Sequence, residues 1–172
     1  MKKDTAFSFG KNWEDFIKRN FSEEIVEISK SHILNFLEVP DLKNKSFLDV
    51  GCGSGLSSLA AYRAGASKIF SFDIDEYSVK TTLKLREMEG NPQNWKVTKG
   101  SILDTQFISE IEKSDIVYSW GVLHHTGAMW EAIRNTMTFL NDDSLLYIGL
   151  YVTTPKSAYW LEVKKNTTFQ EI

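Results

Sequence analysis

Cysteine and long apolar runs are scarce in this sequence, and each scarcity excludes a class of protein. Cys52 is the single cysteine among 172 residues, so the chain can form neither an internal disulfide nor a multi-cysteine metal site. No stretch approaches the ~20 apolar residues that cross a bilayer, and the start MKKDTAFSFGKNW lacks the apolar core of a signal peptide. We therefore expect a soluble, cytoplasmic protein that has no membrane partner.

An excess of positive charge is also absent. The chain has 20 Lys and Arg against 23 Asp and Glu, which gives a formal net charge of −3. Because nucleic acids are bound through broad cationic surfaces, a nucleic-acid partner is disfavoured. The remaining composition, with 42% hydrophobic and 25% charged residues, is that of one domain with one substantial core.

The first forty residues are patterned as helices. Residues 11–20 and 22–37 carry apolar side chains near helical spacing, Ser22 offers a capping hydroxyl, and Pro40 closes the region. Aromatic rings are dense before the core begins, and they could form a lid over a ligand or simply pack on the core. These rings belong to Phe7, Phe9, Trp13 and Phe16.

From residue 46 onward, short apolar runs alternate with amphipathic segments. This alternation predicts an α/β fold with a doubly wound, mostly parallel sheet flanked by helices. Asp75 and Thr126 stand where they could cap the second and fourth helices of this region. The predicted strands are 46–50, 68–73, 94–100, 115–120 and 144–152, and the predicted helices are 55–64, 76–88, 105–112 and 128–140.

Three glycines follow the first predicted strand at every second position, in FLDVGCGSGLSSLAA (47–61). Glycines at a strand-to-helix turn permit unusual dihedrals and let a ligand approach the backbone at the carboxyl end of the sheet. The dinucleotide pattern G-x-G-x-x-G would need glycine at position 56, where the chain has Leu56, and no Gly-Lys-Ser/Thr follows as in a P-loop. The glycines therefore mark a ligand site of another kind.

The pattern D-x-G-x-G-x-G, formed by Asp49, Gly51, Gly53 and Gly55, resembles the first motif of the class I S-adenosylmethionine-dependent methyltransferases. Three further stretches resemble that family in order, namely SFDID after the second strand, GSILD (100–104) after the third and YSWGVLHHT (118–126) after the fourth. Together they extend the resemblance over residues 45–152. The resemblance implies a Rossmann-like methyltransferase fold, with S-adenosylmethionine as cofactor and S-adenosylhomocysteine as product.

The same resemblance assigns cofactor-binding residues. Asp73 is expected to accept hydrogen bonds from both ribose hydroxyls, with Ile74 beside it, while Asp49 orients the glycine loop or, through water, the cofactor's amino group. Ser101 and Ile102 are expected at the adenine edge. Further candidates are Trp120, which could stack on adenine, wall the acceptor pocket or belong to the core, and Trp13 in the aromatic leader, which resembles a segment that folds over the cofactor in some of these enzymes.

His124 is the catalytic candidate. Methyl transfer from a sulfonium chiefly requires in-line alignment and exclusion of water, so a base helps only when the acceptor must lose a proton. His124 follows the fourth strand more closely than His125 does, and no cysteine or His-x-x-x-His spacing nearby completes a metal site. We expect a small-molecule or saccharide-like acceptor. The alternatives are a non-catalytic module that binds S-adenosylmethionine, or a truncated partner subunit, and thirdly another nucleotide-binding enzyme.

The carboxyl-terminal part departs from the family pattern. Full class I folds carry two more strands, whereas only residues 153–172 follow the fifth predicted strand here. We expect one domain over 1–172, with a helical lid or cap (1–40), a cofactor-binding core (45–152) and a short tail (153–172). We also expect a homodimer, a partner chain or the tail to cover the edge of the fifth strand.

Overall fold

The computed structural model describes residues 21–152 together with Asp15, Ile17 and Arg19. The chain alternates between helices and strands throughout this range. In order, the elements are α1 (Glu23–Leu37), β1 (Ser46–Val50), α2 (Leu56–Arg63), β2 (Lys68–Asp73), α3 (Glu76–Met88), β3 (Trp95–Lys99), α4 (Thr105–Ser109), β4 (Ser114–Trp120), a 3-10 helix (Leu123–His125), α5 (Met129–Met137) and β5 (Leu140–Gly149).

The strands form one sheet in the order β3-β2-β1-β4-β5, and every neighbouring pair is parallel. The chain builds outward from the central strand β1 through β2 to β3 and then crosses back to place β4 on the other side of β1. This confirms the predicted doubly wound α/β fold. It also puts a topological switch point beside β1, where such sheets bind their ligands.

Side chains of the central strand alternate between two apolar cores. Phe47 packs into the core shared with α1, α2 and α3, whereas Leu48 and Val50 pack into the core on the α5 side. All three are almost fully buried. Because both faces of β1 are covered, its carboxyl end is the part of the strand that remains open to a ligand.

Most predicted boundaries agree with the structure to within two residues, but α4, α5 and β5 differ. The predicted helix 128–140 ends at Met137. The predicted helix 105–112 ends at Ser109, and the predicted strand 144–152 begins at Leu140 and ends at Gly149. The early start of β5 has a local cause, because the Ser144 hydroxyl donates to the Ser114 carbonyl oxygen at 2.7 Å and bridges an irregularity in the ladder.

Of the three predicted caps, those at Ser22 and Asp75 are confirmed and that at Thr126 is wrong. Ser22 Oγ accepts from the Ile25 N–H at 3.3 Å and is the N-cap of α1. The Asp75 side chain accepts from the N–H groups of Tyr77 and Ser78 and is the N-cap of α3. The N-cap of α5 is Ala128 without a side-chain bond, while Thr126 donates to the Leu123 carbonyl oxygen and closes the 3-10 helix instead.

Several sequence predictions concern residues outside the described ranges. They are the lid with Trp13, the tail 153–172 and, except for Asp15, Ile17 and Arg19, the helix at 11–20. Within the described part of the chain, no helix combines the length and apolar character needed to span a bilayer.

Candidate functional site

The loop between β1 and α2 depends on glycine. Gly51, Gly53 and Gly55 have φ angles of 77°, 53° and 80°, a region that other residues rarely adopt. A Cβ on Gly51 would lie 2.4 Å from Val122 Cγ1, and one on Gly55 would lie 2.8 Å from the backbone Cα of Thr82. Glycine is therefore required here both by backbone conformation and by close packing.

The N–H groups of this loop are directed largely back into the protein. Those of Gly51 and Cys52 both donate to the Phe72 carbonyl oxygen, at 2.9 and 3.0 Å, and that of Gly55 donates to the Cys52 carbonyl oxygen at 2.8 Å. A phosphate-binding loop instead points its N–H groups at the ligand. The geometry thus agrees with the rejection of a P-loop and differs from the expectation that a ligand would contact these N–H groups.

Asp73 joins the end of β2 to the glycine loop. Its Oδ2 accepts from the Gly53 N–H at 2.9 Å, and its Oδ1 accepts from the Asp75 N–H at 2.8 Å. Burial raises the pKa of the Asp73 carboxyl, and the two N–H donors oppose that rise. Each oxygen retains a further lone pair for an additional donor. The structure thus gives Asp73 a second role in holding the loop, and its contact with ribose stays a prediction.

Asp49 lies at the end of a buried hydrogen-bond chain. The Trp95 indole N–H donates to Ser71 Oγ at 3.0 Å. Ser71 Oγ lies 2.7 Å from Ser58 Oγ, and Ser58 Oγ donates to Asp49 Oδ2 at 2.5 Å. All four residues are at most 2% exposed. Asp49 was expected to contact N–H groups of the glycine loop, but its recorded side-chain hydrogen bond goes to α2.

Burial raises the pKa of Asp49 from 3.8 to about 7, the Ser58 hydrogen bond opposes the rise, and the negative charge of Asp73 adds to it. Ser58 and Ser71 were missed by sequence reasoning. The available signal was Ser71 itself, a hydroxyl between Phe70 and Phe72 in an otherwise apolar strand.

Three further predicted cofactor-binding residues differ in exposure. Ile74 is 68% exposed directly beside Asp73, as an apolar wall would be. Ser101 accepts from the Leu103 N–H at 3.2 Å and shapes the turn after β3. Ile102 is only 5% exposed and packs in the core, and its carbonyl oxygen accepts from Asn135 Nδ2 at 2.8 Å. The contact of Ser101 and Ile102 with adenine, and that of Ile74 with the cofactor, stay predictions.

Trp120 belongs to an aromatic cluster at the carboxyl ends of β4 and β5. Its ring is 48% exposed and meets the His32 ring edge-on at 5.4 Å. His32 Nε2 is hydrogen-bonded to Tyr147 Oη at 2.7 Å, and Phe36 stacks on Tyr147 at 3.9 Å. Sequence reasoning missed His32 and Phe36, whose spacing of four places both on one face of α1.

His124 lies in the 3-10 helix, close to the glycine loop because the preceding Val122 packs against Gly51. Both of its ring nitrogens are buried and have no hydrogen-bond partner among the described residues. Burial, and secondly repulsion from His125, lowers the pKa of His124 from 6.5. The ring is therefore neutral at pH 7. Among the described residues, no group of three or more His, Cys, Asp or Glu side chains could hold a metal ion.

The chain matches the family model described as ribosomal protein L11 methyltransferase (PrmA) over residues 31–137. It is 51% identical over 49 residues to the ribosomal protein L11 methyltransferase of Legionella pneumophila (strain Lens), a match that covers 28% of this chain and 17% of the relative. It is 31% identical over 120 residues to the enzyme of the same name from Fusobacterium nucleatum. That match covers 61% of this chain and 36% of the relative. The chain thus spans about a third or less of the length of these relatives.

A solved structure from Methanococcus maripaludis, provisionally described as an S-adenosyl-L-methionine-dependent methyltransferase, superposes with a TM-score of 0.69. The superposition covers 94% of this chain and 72% of that one at 20% identity, so it shows the shared fold. The resemblance that the four motifs carry is confirmed by the family match and by this fold.

The expectation of a small-molecule or saccharide-like acceptor is wrong. It rested on the acidic composition. The curated relatives from Fusobacterium nucleatum and Helicobacter hepaticus are both named for a protein acceptor, ribosomal protein L11. Composition excludes a broad cationic surface, but it does not distinguish a protein acceptor from a small molecule.

Replacing Gly55 by Ala tests the packing of the loop, with Gly90→Ala as the matched control. Both glycines have φ near 80°, but nothing lies within 4 Å of a Cβ on Gly90. We expect Gly90→Ala to lower the free energy of unfolding by about 1–2 kcal/mol through strain alone. Gly55→Ala should cost roughly 1–3 kcal/mol more through overpacking. Urea unfolding measures both losses, and equal losses would contradict the close approach to Thr82.

Asp49 should make stability depend on pH. Since its folded-state pKa is raised from 3.8 to about 7, the folded protein holds a proton between these values that the unfolded chain has lost. The stability gained by this proton is present at low pH and is lost as pH rises towards 7. Relative to Asp49→Asn, we expect the wild-type free energy of unfolding to fall by roughly 3 kcal/mol from pH 5 to pH 8. A constant difference in urea unfolding would mean that Asp49 titrates normally.

Proposed function

Because the chain belongs to the ribosomal protein L11 methyltransferase (PrmA) family, we propose that it binds S-adenosylmethionine and directs methyl transfer to a protein acceptor. The observation that carries this proposal is the joining of the Asp73 carboxylate to the glycine loop at the sheet's switch point. This arrangement lies within the matched residues 31–137.

The residues at the switch point fit this cofactor better than a dinucleotide. Asp73 keeps lone pairs for ribose hydroxyls, and exposed Ile74 offers an apolar surface beside it for the adenine ring. The loop N–H groups that a pyrophosphate would need are already bonded to the protein. The Asp73 carboxyl places negative charge at this end of the sheet, which suits a cationic ligand. When bound, S-adenosylmethionine supplies a methyl group already activated by the sulfonium.

His124 is proposed as the base that takes a proton from the acceptor's attacking group. Its two buried ring nitrogens have no partner in the described chain, and its lowered pKa keeps it neutral and able to accept a proton at pH 7. The rings of Trp120, Tyr147 and Phe36 lie at the same edge of the sheet and would wall the path of the acceptor side chain while excluding water.

The protein acceptor is proposed from the relatives, whose printed names specify ribosomal protein L11. A protein acceptor also agrees with the exposed apolar residues around the site, since Trp120, Tyr151 and Val152 are 48%, 67% and 76% exposed. The proposed cytoplasmic location follows from this acceptor and from the single cysteine.

Cofactor binding is tested by calorimetry with S-adenosylmethionine, S-adenosylhomocysteine and NAD. We expect the two sulfur-containing ligands to bind and Asp73→Asn to weaken both by about 10- to 100-fold, since hydrogen bonds to a charged group are lost. Asp142→Asn, an exposed carboxylate on β5, is the matched control and should bind normally. Binding of NAD alone, or normal binding by Asp73→Asn, would refute the cofactor assignment.

Methyl transfer is tested with S-adenosylmethionine labelled in the methyl group and purified ribosomal protein L11. We expect label in the protein, and His124→Asn should lower kcat by about 100-fold or more while the Kd for S-adenosylmethionine stays within about twofold. His125→Asn is the matched control and should retain most activity. In the wild type, kcat should fall with decreasing pH only below 6.5, because the pKa of His124 is lowered from that value.

Two other results would change this proposal in different ways. A protein that binds S-adenosylmethionine but never labels L11 would contradict the acceptor while preserving the cofactor. An unchanged kcat in His124→Asn would show that alignment alone suffices and that the histidine is not the base.

A further inference from the structure

A cavity opens on the α4 side of the sheet, away from the glycine loop, and it has a volume of about 330 Å³. Lys68 and Ser114, which begin β2 and β4, lie at one end of the cavity, and Lys99 at the end of β3 lies at the other. None of the glycine-loop residues lines it. The helix α4 ends at Ser109, and the segment 110–114 that follows it forms one wall of the cavity.

Aromatic rings form the floor of this cavity. Phe70 lies 6.3 Å from Phe72, which meets Phe107 edge-on at 5.1 Å. Phe107 in turn lies against Gly100, where a Cβ would come within 2.1 Å of its ring. Since Phe107 is held between Phe72 and Gly100, the floor is a fixed apolar surface on which a flat ligand could lie.

Lysines surround this apolar floor. Four lysines and two glutamates line the cavity, which leaves a net positive charge of two. Lys68 is paired with Glu112 at 2.5 Å, whereas Lys96 and Lys113 have no ion-pair partner among the described residues. The Lys96 ammonium lies 5.4 Å from the centroid of the Phe70 ring, directly over the floor. Glu112 interacts electrostatically with Lys96 at longer range, but the lysines outnumber the glutamates, so a ligand seated there would meet aromatic surface on one side and net positive charge on the other.

Protection of an edge strand explains only part of this charge. Lysines on edge strands prevent strand pairing between molecules, and Lys96 and Lys99 lie on the edge strand β3. Lys68 lies on an inner strand and Lys113 precedes β4, so neither protects the edge. Edge protection therefore does not explain why lysines from three parts of the sheet surround one apolar floor, and an anionic ligand would explain it.

We propose that this cavity binds a small amphipathic anion, a flat apolar body that carries a carboxylate, sulfonate or phosphate group. The volume of about 330 Å³ lies at the lower end of the range for small-ligand sites, which favours a compact molecule over a polypeptide segment. The apolar body covers Phe70 and Phe107, and the anionic group lies between Lys96 and Lys113. The site is separate from the proposed cofactor site.

The test is an NMR titration of the full chain with phenyl phosphate, with benzyl alcohol and inorganic phosphate as the two partial probes. We expect phenyl phosphate to shift the amide signals of residues 68–70, 96–99 and 107–113, and to bind about tenfold more tightly than either partial probe. Lys96→Gln and Lys113→Gln should each weaken it by up to about fivefold, because both charges are solvent-exposed.

Lys30→Gln is the matched control, since this lysine lies on α1 on the opposite face of the sheet, and it should leave the affinity unchanged. Equal binding of inorganic phosphate would overturn the proposal by showing charge attraction only. Equal loss in Lys30→Gln, or shifts confined to residues 51–55 and 73, would overturn it as well. These outcomes are independent of whether S-adenosylmethionine binds, so they separate this cavity from the proposed function.

Discussion

The hydrogen-bond chain from Trp95 to Asp49 is the interaction on which the rest of the candidate site depends. An indole N–H can only donate, and Ser58 Oγ donates to Asp49 Oδ2 at the other end, so all three bonds run from Trp95 towards Asp49. These hydrogen bonds connect β3, β2, α2 and β1 inside the protein. They thereby fix how α2 sits against β1, and the glycine loop is the segment that connects these two elements.

The glycine loop connects this buried hydrogen-bond chain to the edge of the sheet where the cofactor site is proposed. Gly51 must approach Val122, and Gly55 must approach Thr82, so the loop is closely packed against the segment after β4 and against α3. Asp73 holds the middle of the loop through the Gly53 N–H. Most of the loop's hydrogen-bonding capacity is used within the protein, and the charged group that remains at this edge is the Asp73 carboxyl, since Asp49 is buried with its pKa raised to about 7. A cation is a better match for such an edge than a phosphate.

The composition of the chain bears on whether it binds nucleic acid, but it does not identify the class of the methyl acceptor. A net charge of −3 bears on long-range attraction to polyanions, and it carries no information about a folded protein partner, which recognises a surface. The exposed aromatic residues at the carboxyl edge are such a surface, and they are assembled from α1, β4 and β5. His32 and Tyr147 are separated by 115 residues, so no local sequence pattern predicts their contact.

The sequence by itself determined the α/β class, the positions of the central strands, the cap at Asp75 and the place of the glycine loop. These features follow from local physics, namely apolar periodicity, capping side chains and the steric freedom of glycine. Only the tertiary structure decided that Asp49 bonds to Ser58, that Ile102 lies in the core and that α4 stops early beside a lysine-lined cavity. It also decided that both nitrogens of His124 are buried with no partner in the part of the chain that the structure describes. Each of these depends on atoms that residues distant in the chain bring together, and such distances are set by packing rather than by sequence spacing.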